Sequence, residues 1–393
     1  MARPEGSSED LARRAAAAVA GFTSTGSKAP DAMFGGPGGP THLVRASGVR
    51  VRTADGRDLL DWTMALGAVG LGYGHPRVVE AVERAVRDGA VGPLPHRLEV
   101  EIAERLCAAY PGAEQARFLK TGAEAVAAAV RIARTATGRE RVVHAGYQGW
   151  LDGPTHGAGV PPATAALWAA VPFDDVPALE DAVARGEAPA AIVLEPVVER
   201  APSGAWLAAA RRLAHEGTVL IFDEIKTGFR LGRGGAAERW GVTPDLAVLG
   251  KALANGFPLA AIVGRADLMA RVTNTWISST LATEWVALAA AGAVLDVWDE
   301  TDVARHLADI GRVALDGLAP LAASRAFTTC GLPEMWFLSF ADPSRERRFL
   351  LGCVEKGVLL KRGGYNFPSL SHERRDVDET LSVVRAVLAE AAR

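Results

Sequence analysis

The stretch 218–235, "TVLIFDEIKTGFRLGRGG", decides how the rest of this 393-residue chain is read. Val219-Leu220-Ile221-Phe222 is a near-continuous apolar run, the pattern of a strand covered on both faces. It ends in two adjacent carboxylates, Asp223 and Glu224, and a lysine and an arginine follow at Lys226 and Arg230. A buried carboxylate needs a cationic or hydrogen-bonding partner. That partner is either another side chain or something bound.

Working outward, similar runs recur at "ARFL" (116–119), "RVVHA" (141–145), "AAIVLEP" (190–196), "LAVLG" (246–250) and "LAAIVG" (259–264). Helical patterns at 76–88, 97–109, 123–137, 176–185, 204–216 and 283–299 alternate with them. The alternation predicts an α/β large domain, a mostly parallel sheet covered by helices. From about residue 300 helices mix with "EMWFLSFA" and "GVLLKR", the pattern of a smaller α+β domain. Near the start, "SSEDLARRAAAAVAGF" reads as an amphipathic helix and not a signal peptide, and "GGPGGP" (35–40) as a loop. "HLVRASGVRVRTADGRDLLDW" alternates about Asp55-Gly56, a hairpin signal. The expected division is a segment 1–60 joining the small domain, a large domain 61–297 and a small domain 298–393.

Composition narrows the function classes. With 49% hydrophobic residues, 23% charged and a net charge of −3, there is no electrostatic case for nucleic acid or an anionic membrane. No apolar run is long enough to span a bilayer. Cys107, Cys330 and Cys353 are far apart and odd in number, which argues against a disulfide framework or thiolate zinc site. A cytoplasmic two-domain enzyme is the expectation.

In such sheets ligands bind outside the carboxyl ends of the strands. Those ends offer Lys120-Thr121-Gly122-Ala123, Tyr147, Glu195, Asp223 and Lys251. Lys251 could be a plain surface lysine. The phosphate-loop alternative fails, because Asp245 and Ala252 stand where that pattern requires Gly and Ser or Thr. A buried lysine beside a carbonyl cofactor would instead form a Schiff base. Asp223 would then keep the ring nitrogen of pyridoxal phosphate (PLP) protonated, so that the ring can accept electrons. Ile225, on the same side of the strand, can pack on one ring face and Tyr147 on the other. Thr121-Gly122-Ala123 opens a strong helix whose free amides suit a phosphate, although Thr121 is also a good N-cap with no ligand at all.

The block 220–264, "LIFDEIKTGFRLGRGGAAERWGVTPDLAVLGKALANGFPLAAIVG", resembles the signature of class III aminotransferases, PLP enzymes of fold type I. Within that family it is most similar to the branch of glutamate-1-semialdehyde aminomutase and its aminotransferase relatives. "DGRDLLDW", "LGYGHPRVVEAV", "PHRLEVEIAERL", "KTGAEAVAAAVRIAR", "GYQGWLDG", "EPV" and "SLSHERRDVDETL" extend the resemblance over nearly the whole chain. It implies Lys251 as the Schiff-base lysine, Asp223 as the pyridinium partner, Tyr147 stacked on the ring, and Thr121, Gly122 and Ala123 at the phosphate. Thr280, in "SSTLATEW", would reach the phosphate bound by a neighbouring subunit, which implies a homodimer with a shared site.

The chain departs from the family at Gln148, where His is usual, and at Ala282-Thr283-Glu284-Trp285, in place of Gly-Asn-Pro. Both departures bear on the substrate. Arg200 and Arg362 could each hold a substrate carboxylate, or be solvated surface arginines. Trp150 and Asn366 are substrate candidates by position. The reading is an aminotransferase acting on an amino donor and a carbonyl acceptor. Its alternatives are an aminomutase and, from another class, a non-catalytic relative. The stretch 150–175 looks shorter than the mobile loop of the aminomutase, which favours transfer.

Overall fold

The computed structural model describes residues 8–155, 157–215, 217–322 and 327–391. They form two compact units, one of residues up to His75 together with those from Arg305 onward, the other Pro76–Ala304. The divisions fall at 75/76 and 304/305, where the sequence suggested 60/61 and 297/298. The second shift has a simple cause, since the helix Trp285–Glu300 is continuous across 297.

The strands, in chain order, are β1 (Leu43–Ser47), β2 (Arg50–Thr53), β3 (Asp58–Asp61), β4 (Gln115–Leu119), β5 (Val142–Ala145) and β6 (Trp168–Ala170). They continue with β7 (Ala191–Leu194), β8 (Val219–Asp223), β9 (Leu246–Leu249), β10 (Ala260–Gly264), β11 (Thr328–Leu332), β12 (Met335–Ser339) and β13 (Val358–Leu359). The central unit holds a seven-stranded sheet in the order β4-β10-β9-β8-β7-β5-β6. β5 to β9 are mutually parallel, and only β10 runs against its neighbours β4 and β9. The carboxyl ends of β4, β5, β7, β8 and β9 therefore share one edge of the sheet.

Every residue of β5, β7, β8, β9 and β10 is buried, which is why these strands read as apolar runs without alternation. The helix Gly122–Thr137 lays Ala125, Val126, Ala129, Val130, Ile132 and Ala133 on that sheet. Its alanines let the helix approach closely. A capping box starts it, Thr121 Oγ1 accepting from the Glu124 amide while Glu124 accepts from the Thr121 amide.

The other unit builds its sheet in the order β1-β2-β3-β13. Asp55-Gly56 turns β2 into β3 as expected, with Gly56 at φ +85. A second turn at Gly48 joins β1 to β2. Trp62 is fully buried, donates its indole N–H to Thr380 Oγ1 at 2.8 Å and stacks on His372 at 4.3 Å. Beside it, Met64, Ala65 and Leu66 take left-handed φ values of 42, 52 and 60. The Asp61 carboxylate holds that strained segment, accepting from the Thr63 and Met64 amides and from Tyr73 Oη. Among the described residues no helix is long and apolar enough to cross a membrane.

Candidate active site

The shared edge gathers the chemistry expected of it. Thr121 lies two residues past β4, Tyr147 two past β5, Glu195 directly after β7, Asp223 at the last position of β8 and Lys251 two past β9. Sheet register, and not chain proximity, makes these residues neighbours.

Asp223 is buried and accepts one hydrogen bond, from the Ile225 amide at 3.0 Å. Burial and the nearby charge of Glu195 push its carboxyl up to about 7. Lys251 is also buried, and burial together with the charge of Lys226 draws its amine down to about 8. Its backbone sits at φ +47, a strained conformation for a residue with a Cβ, and such strain clusters at functional sites. Glu195 forms an ion pair with Lys226 and also accepts the Tyr147 amide at 3.1 Å. In the sequence Glu195 is only a strand end and Lys226 only a charge following a strand. Only the pairing across β7 and β8 exposes them.

Glu224, next to Asp223, belongs to different machinery. It accepts the amides of Ala236 and Ala237, each at 2.9 Å, the Tyr110 hydroxyl at 3.1 Å and the Thr227 hydroxyl. The two consecutive carboxylates thus differ: Glu224 is a loop anchor, while Asp223 accepts from the Ile225 amide.

At the other end of the site the capping box consumes the amides of Lys120, Thr121 and Glu124. The amides of Gly122 and Ala123 lie in the first turn, where a helix offers no acceptor. Thr121 Oγ1 accepts a bond there and keeps its own proton to donate. Ile225 reaches toward both Gly122 and Gly250, where an added Cβ would come within 2.9 and 2.7 Å of its Cδ1.

The remaining sequence candidates are placed individually. Tyr147 is 69% exposed and Trp150 72% exposed. Gln148 turns inward, its amide donating to the Ala145 carbonyl at 2.6 Å and its oxygen meeting His144 Nδ1 at 2.7 Å. Arg200 is engaged by Asp174 and lies over the Phe173 ring. Thr280 is exposed and opens the short turn Thr280–Thr283. Glu284 then caps the following helix and pairs with Lys120 at 2.5 Å. Arg362 and Asn366 belong to the other unit. Arg362 pairs there with Glu346 at 3.2 Å, while the fully buried Asn366 accepts from the Lys361 amide at 2.9 Å.

A group fitting this edge needs a phosphate for the Gly122–Ala123 amides, a carbonyl for the Lys251 amine and a protonated ring nitrogen for Asp223. Pyridoxal phosphate has all three, and a buried carboxylate with one donor is what its pyridinium would complete.

Comparison with known proteins agrees. The family described as aminotransferase class-III matches residues 37–157 and 166–388. Glutamate-1-semialdehyde 2,1-aminomutase of Thermomicrobium roseum is 35% identical, over 90% of this chain and 92% of its own. The protein of the same description from Symbiobacterium thermophilum is 32% identical over 97% of each. Among solved structures, the PLP internal aldimine form of the Sphingopyxis sp. MTA144 FumI protein superposes with a TM-score of 0.93 at 26% identity, covering 98% of this chain and 96% of its own. The β-phenylalanine aminotransferase of Variovorax paradoxus gives a TM-score of 0.86 at 25% identity, over 98% and 94%. On the extent of that match and on the residues gathered at the sheet edge, the chain belongs to the class III aminotransferases, PLP-dependent transaminases of fold type I.

Proposed function

We propose that the enzyme moves an amino group between two separate small molecules, a donor and a carbonyl acceptor, in a homodimer whose subunits complete each other's sites. The observation that carries the reading is the segment after Tyr147. Its described residues between β5 and β6 form one short helix, Pro162–Ala165, and the family match passes over 158–165. Gln148 is fastened to His144 and to the backbone, so it cannot swing over a substrate without breaking two buried contacts. A mutase must hold its intermediate between two half-reactions, and lids serve that purpose. The stretch 150–175 reads as shorter than the aminomutase loop, and a shorter lid would favour release of the first product and entry of an acceptor. The aminomutase reading draws support from the relatives at 32–35% identity that carry that description.

Bound PLP supplies a carbonyl carbon to carry the amino group and a ring that takes up the electron pair left on the substrate carbon. The protein's part is orientation and proton management. Asp223 holds a positive charge on the ring nitrogen, and the low surrounding polarity strengthens that contact. The Gly122 and Ala123 amides and the Thr121 hydroxyl bind the phosphate, aided by the helix dipole. Tyr147 and Ile225 bracket the ring. The Lys251 amine, which burial draws down from its ordinary value, would serve as the base and acid that moves a proton at the substrate carbon. Thr280 of one chain reaches the phosphate held by the other. Trp150 and Arg200, both in the central unit, are the candidates for substrate contact.

Incubating the PLP form with a candidate amino donor and no acceptor tests the reading. One stoichiometric conversion to pyridoxamine phosphate is expected. A positional isomer of the donor accumulating over many turnovers would establish the mutase instead.

A further inference from the structure

We infer that Lys226, through its ion pair with Glu195, is a positioning residue that favours the ionised Asp223 carboxylate and the neutral Lys251 amine. The inference rests on the reading above of Asp223 and Lys251 as the residues that hold the cofactor.

The need for Lys226 follows from the sheet. β7 and β8 are parallel and pair Leu194 with Phe222, so Glu195 and Asp223 occupy the next step, on adjacent strands and the same face. Neighbouring strands lie about 4.8 Å apart. Both side chains are buried. Two carboxylates so close and so poorly solvated cannot both stay ionised without a counter-charge, and one takes up a proton instead. A protonated Asp223 could not hold a pyridinium.

Lys226 supplies the counter-charge. Its ammonium meets Glu195 Oε1, the Tyr147 amide donates to Oε2 at 3.1 Å, and the Lys226 and Glu195 side chains are each only 11% exposed. The backbone makes room for this arrangement. Gly146 sits at φ +90, and a Cβ there would lie 2.5 Å from Glu195 Cβ and 2.7 Å from its Oε2. Any other residue at 146 would collide with the carboxylate that Lys226 pairs. The charge of the same ammonium also acts on Lys251, as do those of Glu195, Asp223 and Arg230. The charges facing Asp223 are Glu195, Lys251 and Lys226. A like charge on Lys226 opposes protonation of the Lys251 nitrogen, and Glu195 offsets part of that effect.

Opposite consequences follow for the two partners. Removing Lys226 leaves the Glu195 anion uncompensated, which favours the protonated Lys251 nitrogen. Removing Glu195 leaves the Lys226 cation uncompensated, which disfavours it. A residue with only a structural role would not reverse sign in this way.

The test is the pH midpoint of the visible-absorbance change of the bound cofactor in the holoenzyme. Lys226→Met should move the midpoint up by about one pH unit and Glu195→Gln down by about one unit. The double variant should return close to wild type, and Lys226→Arg, which keeps the charge, should match it. PLP affinity by equilibrium dialysis should fall in both single variants and recover in the double variant. If Lys226→Met cannot be recovered folded, Glu195→Gln and the double variant carry the same comparison. Shifts of one sign in both single variants, or no shift in either, would overturn the inference. Lys251→Ala is the control. Loss of the pH-dependent band in it supports the assignment of Lys251, so that same-sign shifts would then remove only the role of Lys226. Persistence of the band would remove both.

Discussion

Asp223 and Glu224 are consecutive residues at the end of β8, yet they face opposite surroundings. Glu224 accepts from the Ala236 and Ala237 amides, each at 2.9 Å, while among the described residues Asp223 accepts from the Ile225 amide alone, at 3.0 Å. Successive strand residues point to opposite faces, so an Asp-Glu pair at a strand end serves two tasks. Glu224 anchors the loop that leads to the helix Gly235–Trp240, and Asp223 is the residue proposed to meet the ring nitrogen.

The two substitutions should therefore separate stability from activity. Glu224→Ala strands two buried amides and should lower the unfolding free energy by at least about 3 kcal/mol, measured by urea denaturation of the apoprotein. Asp223→Asn should lower the rate about a hundredfold or more, because a neutral amide cannot hold the pyridinium charge. Its stability should behave differently. The folded Asp223 carboxyl is raised to about 7, above its unfolded value of about 3.9, so its contribution is present at low pH and lost as pH rises through 7. At pH 8 the Asn apoprotein should be at least as stable as wild type, an advantage that shrinks toward pH 4. An Asn variant markedly less stable at pH 8 would show that Asp223 has a structural role.

Binding of PLP to the apoprotein should accelerate as pH rises from 6 to 8. Asp223 becomes anionic above about 7 and the Lys251 amine becomes neutral above about 8, and both changes favour capture of a cationic ring and a carbonyl. From pH 8 to 7 the capture rate should fall about tenfold, and below 7, where Asp223 also takes up a proton, it should fall more steeply. Stopped-flow absorbance gives the rate directly, and a flat profile over this window would contradict the pairing of the two groups.

How much of this was open to sequence depended on range. The β5, β7, β8 and β9 strands were legible because burial on both faces demands unbroken apolar runs, and Lys251 and Asp223 because each ends one. The antiparallel course of β10 was not, since its run "LAAIVG" is as apolar as those of the parallel strands. The strand β13 was legible in "GVLLKR", but its parallel pairing with β3 was not, because that partner lies at the far end of the chain. The left-handed Met64-Ala65-Leu66 segment carries no glycine to announce it, being held by Asp61 and Tyr73. Lys226 escaped for the same reason. A lysine after a strand looks solvated until the sheet register puts Glu195 beside it.

The exposed apolar side chains of the central unit predict where a second copy docks. Trp276 is 93% exposed at φ +52, and Leu94, Val100 and Leu281 are exposed as well. In the proposed homodimer such an indole would be covered by the partner. Trp276→Glu should shift the protein toward monomer in sedimentation velocity, with loss of bound PLP in the same fraction. A Trp276→Glu dimer with full cofactor content would exclude this surface.

The central claim is that Lys251 carries the cofactor and Lys226 only tunes the site. Both amines lie at the same sheet edge, so the claim can fail in a definite way. Reduction of the PLP-loaded enzyme with borohydride fixes the cofactor to the amine that bears it, and peptide mass mapping then locates it. The expected result is a pyridoxyl group on Lys251 in near-stoichiometric yield, with Lys226 unlabelled. A label on Lys226, or on neither lysine, would contradict the account.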